Sequence, residues 1–126
     1  MFKKILFATS ATPACDHAAR LAFDLAKRYQ ASISVFHVMG IPTREFSMMV
    51  KDVRTGEDVQ MDENYLQLVT EELTSYYAKQ LEDCPDFTID CTTGYPHREI
   101  LRKARNDDVD IVVMGATGRG SEDTYT

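Results

Sequence analysis

The sequence lacks the features that a membrane protein, a nucleic-acid-binding protein or a secreted disulfide protein would need. No apolar run is long enough to cross a bilayer, and the run that follows Met1-Phe2-Lys3-Lys4 is too short for a signal peptide. The 14 basic residues are outnumbered by 20 acidic ones, a net charge of −6, whereas sequence-independent binding of nucleic acid requires a basic face. The three cysteines are odd in number and have no metal-binding spacing, which favours a reducing cytosol. We therefore expect a cytoplasmic protein with neither membrane nor nucleic-acid partners.

Signatures of several catalytic classes are also missing. There is no Gly-x-x-x-x-Gly-Lys, which excludes a P-loop NTPase, and no Gly-x-Ser-x-Gly, which leaves a hydrolase without its nucleophile. The run Gly118-Arg119-Gly120 continues as Ser121-Glu122-Asp123, which fails the dinucleotide fingerprint Gly-x-Gly-x-x-Gly. The histidines His17, His37 and His97 have no metal-ligand spacing. The sequence therefore predicts no catalytic residue and no protein ligand to a metal.

The apolar segments that are present alternate between strand and helix patterns. Strands are predicted at 5–8, 33–39, 87–92 and 111–114, with helices at 13–30, 66–81 and from 96 to about 105. Thr12 is the predicted N-cap of the first helix, with Pro13 as its first residue. Residues 43–60 show no period and are predicted to be a long loop.

This β-α-β-α-β-α-β order predicts one α/β domain, an open twisted parallel sheet with helices on both faces. The segment 87–92 alternates polar and apolar residues, as an edge strand does. The other three strands are apolar throughout, as fully buried strands of a parallel sheet are. The predicted strand order is therefore 3-2-1-4, and the direction of the connections reverses between strands 1 and 4.

A ligand site is predicted at this reversal, because ligands of such sheets bind beyond the carboxyl ends of the strands. The residues Ala8-Thr9-Ser10 follow the first strand, and Gly115-Ala116-Thr117-Gly118 follow the fourth. The glycines would let phosphates approach backbone amides, although a plain glycine-rich turn is the alternative. Arg119 is either a phosphate clamp or a solvated loop residue. The hydroxyls of Thr9 and Ser10 would bond a ribose or base, or would cap the turn into the first helix.

The histidines have structural interpretations as well as functional ones. His37 lies within the second strand, which favours a hydrogen-bonded core histidine over a ligand. His17 is expected on the surface of the first helix. His97 and Arg98 stand in the first turn of the third helix, where anions are attracted. A solvated basic pair is favoured there over a phosphate contact.

Four stretches of the chain resemble the universal stress protein family, and the resemblance covers essentially all 126 residues. They are Lys4-Ile5-Leu6-Phe7-Ala8-Thr9-Ser10, Val35-Phe36-His37-Val38, Gly94-Tyr95-Pro96 and residues 109–120. The last stretch is the most specific, because nucleotide-binding members carry Gly-x-x-Gly there, matched by Gly115 and Gly118. The resemblance implies a Rossmann-like fold of the adenine nucleotide alpha hydrolase type, with strand order 3-2-1-4-5.

The resemblance also implies a ligand and a set of contacts. ATP-binding members hold adenine near the ends of the first two strands, and ribose and phosphates on the glycine loop. They bind a divalent ion, Mg²⁺ or Mn²⁺, with the triphosphate, form homodimers, and hydrolyse ATP slowly if at all. Their role is regulatory. The corresponding residues here are Ala8, Thr9, Ser10, Val38, Met114, Gly115, Thr117, Gly118, Arg119 and Gly120.

The sequence departs from the family pattern at two places. Ser10 stands where an aspartate is usual, and serine lacks the charge. The chain also stops at Thr126, before the family's Gly-Ser or Gly-Thr pair, fourth helix and fifth strand, which is the usual dimer contact. We therefore expect residues 1–126 to be a single domain truncated at its C-terminus, from a chain of about 140–150 residues. Without those elements, a sheet edge and apolar surface would be exposed.

These features bear on three functions. The first is an ATP-binding regulatory module of the stress response, favoured by Gly115 and Gly118. The second is a nucleotide-independent stress protein acting through dimerisation and protein contacts, favoured by Ser10. The third, a nucleotidyl transferase, needs a signature near the first helix that Cys15-Asp16-His17-Ala18 does not supply. For the first function, Gly115→Val is expected to block phosphate approach with little loss of fold, provided that Gly115 lies outside the packed region of the strand.

Overall fold

The computed structural model describes residues 3–10, 12–39, 49–51, 55, 57–60, 63–84 and 86–115. A 3₁₀ turn, Pro13–Cys15, precedes the first α-helix. In chain order the strands and α-helices of these ranges are β1 (Lys4–Ala8), α1 (Asp16–Tyr29), β2 (Ser32–Met39), β3 (Met49–Lys51), β4 (Asp58–Gln60), α2 (Glu63–Tyr76), α3 (Ala78–Leu81), β5 (Asp86–Thr93), α4 (Pro96–Asn106) and β6 (Ile111–Met114).

The main sheet has four parallel strands in the order β5-β2-β1-β6. This is the predicted order 3-2-1-4, and the alternating strand β5 lies at an edge as expected. Residues Ser32–Met39 of β2 pair along their whole length with Asp86–Thr93 of β5. On the other side, Ile5 to Ala8 of β1 pair with Ile111 to Met114 of β6. The reversal between β1 and β6 is therefore confirmed.

Helices cover both faces of this sheet. Because side chains alternate along a strand, Ile5 and Phe7 of β1 point to one face and Leu6 and Ala8 to the other. The first face packs against α1, α2 and α3 and forms the larger core. The second packs against α4 through Ile100. None of the helices in the described ranges is both long and apolar enough to span a membrane.

The ends of α1 differ in detail from the prediction. Pro13 does stand in the first turn. Thr12 stands at the N-cap position of this turn, as predicted, but its hydroxyl lies 2.8 Å from that of Ser10 and makes no capping hydrogen bond. At the other end Gln30 adopts a left-handed conformation with φ of 51°, and its N–H donates to the carbonyls of Ala26 and Lys27, which closes the helix.

Two other predictions about secondary structure are corrected. The segment 43–60 is not a loop throughout, because β3 and β4 form an antiparallel pair of three residues each, too short to show a period. The predicted helix at 66–81 is two helices that meet at Tyr77, whose φ of −107° and ψ of 15° interrupt α2. Its apolar stripe nevertheless continues across the break, with Val69, Leu73, Tyr77 and Leu81 all buried.

Strand β6 is less buried than its apolar sequence predicts. Val113 is buried, but Val112 is 37% exposed and Met114 is 44% exposed. The two side chains share the face that α4 covers, and α4 packs over β1 and β2 rather than over β6. Leu101 of α4 is 57% exposed.

Candidate functional site

The candidate site lies at the carboxyl ends of β1, β2 and β6. Ala8 is paired with Phe36 on one side and with Met114 on the other, so the exits of β1 and β6 are adjacent. Strand β2 continues beyond Phe36 to Met39 and forms a taller wall. Six of the ten predicted site residues lie at this edge, and the other four, Thr117, Gly118, Arg119 and Gly120, lie outside the described residues.

Three of these six residues form an apolar floor, which we define as Ala8, Val38 and Met114. The register places Ala8 and Met114 side by side, and Val38 follows Phe36 by two residues, so all three share one face of the sheet. Ala8 is buried, Val38 is partly buried, and Met114 is 44% exposed. A partly open floor of this chemistry fits a flat, largely apolar ring such as a nucleobase.

Thr9 points to the opposite face, into the larger core. Its hydroxyl lies 2.6 Å from the hydroxyl of Tyr77, and its N–H donates to the carbonyl of Phe36 at 2.9 Å. Its own carbonyl accepts a hydrogen bond from Nδ1 of His37 at 2.7 Å. His37 is only 1% exposed, which confirms the core-histidine interpretation. The Thr9 hydroxyl therefore joins the exit of β1 to the junction of α2 and α3.

The tyrosines at the junction of α2 and α3 were not predicted to belong to this region. The Tyr77 ring packs 5.5 Å from the rings of both Phe7 and Phe23, and burial raises the pKa of its phenol. Tyr76 donates a hydrogen bond to a carboxylate oxygen of Asp16 at 2.9 Å. Burial, as the larger cause, and this hydrogen bond, as the next, both raise the pKa of Tyr76. The sequence pattern marked Tyr77 as apolar, and carried no signal for its hydroxyl partner.

Ser10 is engaged within the turn that leads into α1. Its hydroxyl lies 2.8 Å from the hydroxyl of Thr12 and 3.2 Å from the Cys15 sulfur. Its N–H also donates to the Cys15 sulfur, at 3.4 Å. Of the two alternatives for this hydroxyl, the structure shows the bond within the turn. Cys15, which was not predicted as a site residue, is therefore the neighbour that orients Ser10.

Gly115 is in close contact with the same cysteine. A Cβ atom built on Gly115 would lie 2.7 Å from the Cys15 sulfur and 2.9 Å from its Cα, closer than real side chains approach. The absence of a side chain at Gly115 thus leaves room for Cys15, the last residue of the 3₁₀ turn before α1. The condition under which Gly115→Val would leave the fold nearly intact, that Gly115 lies outside the packed region of the strand, is therefore not met.

The start of α4 shows the solvated arrangement that was favoured. His97 and Arg98 are both exposed, and the Arg98 guanidinium lies 5.6 Å from the centre of the Tyr95 ring. His17 is exposed on α1, as expected, with Nδ1 3.5 Å from the Arg20 guanidinium. Within the described ranges, no group of three or more His, Cys, Asp or Glu side chains is placed to hold a metal ion.

Comparison with known proteins identifies what this arrangement resembles. Universal stress protein MJ0577 of Methanocaldococcus jannaschii is 29% identical over 128 residues, which cover 94% of this chain and 79% of that protein. A universal stress protein solved in complex with cAMP matches 89% of this chain and 75% of its own, with a TM-score of 0.61 and 14% identity. A universal stress protein family protein of Arabidopsis thaliana with AMP bound matches 94% and 79%, with a TM-score of 0.52 and 17% identity.

The two solved structures show that the Rossmann-like fold is shared, and the family comparison extends over nearly the whole chain. The model of the Universal stress protein family matches residues 1–125. The parallel sheet of order 3-2-1-4, whose strands β1 and β6 end side by side, agrees with that match. The chain belongs to the universal stress protein family.

Proposed function

We propose that this chain is a cytoplasmic regulatory module of the stress response that binds an adenine nucleotide at the exits of β1 and β6. The observation that carries the proposal is the apolar floor of Ala8, Val38 and Met114. Three residues far apart in the sequence meet on one face, at the edge of the sheet where ligands of this architecture bind. Adenine stacks and packs on such surfaces through its flat faces.

The nucleotide is proposed from chemistry shared by the family neighbours. One of them was solved with cAMP and another with AMP, both of which carry adenine, ribose and phosphate. We propose ATP as the ligand here, with Mg²⁺ or Mn²⁺ bound to its phosphates. The phosphates would lie on the loop that begins at Gly115 and continues through Thr117, Gly118, Arg119 and Gly120. At most slow hydrolysis is proposed, since the sequence offers no catalytic signature.

The overall charge makes the backbone and Arg119 the proposed phosphate-binding groups. With a net charge of −6, the chain as a whole repels a polyphosphate. Successive amide N–H groups in a glycine loop hold anions without side-chain charge, and a guanidinium adds a fork of donors. This division predicts that base affinity depends on the apolar floor, and phosphate affinity on the loop.

A second candidate function is a nucleotide-independent stress protein that acts through dimerisation and protein contacts. It is favoured by Ser10, whose hydroxyl is engaged by Thr12 and Cys15 and which lacks the charge of the usual aspartate. The exposed apolar side chains of Val112 and Leu101 give such contacts a surface. A homodimer is proposed under both candidate functions.

Titration calorimetry of the whole chain with AMP, ADP, ATP and cAMP, with and without Mg²⁺, tests the first proposal. We expect saturable heat for all adenine nucleotides, and a higher affinity for ATP when Mg²⁺ is added. The protein has no tryptophan, so its absorbance at 280 nm is low and co-purified nucleotide would be conspicuous at 260 nm. No heat at millimolar ligand, with nucleotide-free protein, would overturn the first candidate and favour the second.

A further inference from the structure

Cys15 occupies a central position between the two chain segments that border the candidate site. It ends the 3₁₀ turn before α1, and only 3% of its surface is exposed. Its sulfur accepts the N–H of Ser10 on one side and lies 3.2 Å from the Ser10 hydroxyl. On the other side it faces Gly115 at the exit of β6. One side chain thus contacts both exits that form the crevice.

The contact between Cys15 and Gly115 is close enough to fix the distance between these two residues. The space that a Cβ would occupy on Gly115 is already within 2.7 Å of the sulfur, so no side chain fits at position 115 beside the cysteine. Densely packed atoms of this kind transmit displacements, because neither neighbour can yield without moving the backbone. Any change in the size of the Cys15 side chain should therefore move the exits of β1 and β6 relative to each other.

We propose that Cys15 is a positioning residue of the candidate nucleotide site. Its sulfur sets the separation between the backbone amides of Ser10 and Gly115 and orients the Ser10 hydroxyl, without touching the nucleotide itself. The consequence for affinity rests on the proposed function, whereas the coupling between the two exits does not. Serine in place of aspartate makes this orientation matter more, since a neutral hydroxyl depends on direction rather than charge for its contribution.

Two variants of nearly equal size separate hydrogen bonding from packing. Cys15→Ser keeps a group that can bond Ser10, and Cys15→Ala removes it, while both shrink the side chain in front of Gly115. Cys84→Ala is the matched control, because Cys84 is a partly buried cysteine that donates to the Gln80 carbonyl at 3.4 Å, away from the crevice. All variants are made in the full chain.

The coupling is tested first without nucleotide, by the amide resonances of the ¹⁵N-labelled protein. We expect Cys15→Ala to shift the amides of both Ser10 and Gly115, and Cys84→Ala to shift neither. If Cys15→Ala moves the Ser10 amide alone, or neither amide, the cysteine does not link the two exits and the inference is overturned. This experiment tests the coupling between the two exits whether or not the protein binds a nucleotide.

The second arm measures AMP affinity by calorimetry alongside unfolding in urea. We expect Cys15→Ala to weaken AMP binding about fivefold or more. Cys15→Ser keeps a group that can bond Ser10 but also shrinks the side chain in front of Gly115, so it should weaken AMP binding by a smaller factor, about twofold. A purely structural role would lower stability in both variants and leave their AMP affinities equal to that of the parent, which overturns the inference. Failure of the parent chain to bind AMP would overturn the proposed function. The amide shifts of Ser10 and Gly115 would then be the sole test of the coupling between the two exits.

Discussion

The hydroxyls of Thr9 and Tyr77 lie 2.6 Å apart in the buried core, and so tie the exit of β1 to the junction of α2 and α3. Both residues are almost completely buried. The Tyr77 ring is held in turn by Phe7 and Phe23, which pack against it from β1 and α1. A polar pair enclosed by aromatic rings is stabilising only when both partners are present, because each would otherwise be left without its hydrogen bond.

Removing both hydroxyls of this pair is expected to destabilise the fold by less than the sum of the losses from removing each one alone. Thr9→Val and Tyr77→Phe should each lower the free energy of unfolding by about 1–3 kcal/mol, since each leaves a buried hydroxyl without this partner. The double variant should be less destabilised than the sum of the single variants. Urea unfolding of the four proteins gives the coupling, and strictly additive losses would show that the two hydroxyls do not depend on each other.

Adding a side chain at Gly115 is expected to damage the fold before it affects any ligand. Gly115→Ala should lower the free energy of unfolding by about 1–3 kcal/mol, because its Cβ overlaps the Cys15 sulfur and crowds the Cys15 Cα. Combining it with Cys15→Ala should restore part of this loss, since the sulfur is removed but the Cα remains. Thermal or urea unfolding measures both variants. Equal stability of Gly115→Ala and the parent chain would contradict the close contact.

Asp110 is expected to make the fold sensitive to acid. Its carboxylate accepts the backbone N–H groups of Lys3 at 2.7 Å and Lys4 at 2.9 Å, and so joins the start of β6 to the start of β1. These hydrogen bonds lower the pKa of Asp110. The stabilisation is complete above the pKa of the unfolded chain, about 4, and is lost as the pH falls through the lower folded-state pKa.

Asp110→Asn should therefore be less stable than the parent at neutral pH, and the difference should shrink as the pH is lowered below about 4. Urea unfolding at several pH values measures this. The control is Asp108→Asn, a change at an exposed residue two positions away that adopts a left-handed conformation tolerated by asparagine. A constant difference between Asp110→Asn and the parent across the range would show that the carboxylate does not carry the effect.

Met114 offers a direct test of the apolar floor. Met114→Glu should weaken AMP binding about tenfold or more, because it places a charge where the adenine ring is proposed to lie and repels the phosphate. Val112→Glu is the matched control, because Val112 is on the same face of β6 two residues earlier and similarly exposed. Calorimetry should show the loss only for Met114→Glu. Equal effects of both changes would point to overall charge rather than to the floor.

The arrangement of the sheet could be predicted from the sequence because burial leaves a pattern in strands. Segment 87–92 alternates and lies at the edge as β5, while the apolar runs of β1 and β2 lie at the centre. The same rule failed at β6, whose run Ile111–Met114 is apolar although Val112 and Met114 are exposed. An apolar sequence shows what a strand can bury, and tertiary packing decides what it does bury.

The candidate site was predictable only in outline. The topology places Ala8, Val38 and Met114 at one edge, and their common face follows from the register, which sequence alone does not give. The partners of Thr9 and Ser10 could not be predicted, because Tyr77 lies 68 residues from Thr9 and no local pattern links them. Cys15 had the appearance of an ordinary buried cysteine, and its position opposite Gly115 depends on how the 3₁₀ turn meets β6.

The strand pairings differ in length from one side of the sheet to the other. Strands β2 and β5 pair from Ser32–Asp86 to Met39–Thr93, whereas β1 and β6 pair only from Ile5–Ile111 to Ala8–Met114. Amide protons of β6 should accordingly exchange with deuterium sooner than those of β2, since a shorter ladder opens at lower free energy. One side of the proposed nucleotide site would thus belong to the strand expected to open first, and a bound nucleotide would slow that exchange by joining β6 to its neighbours.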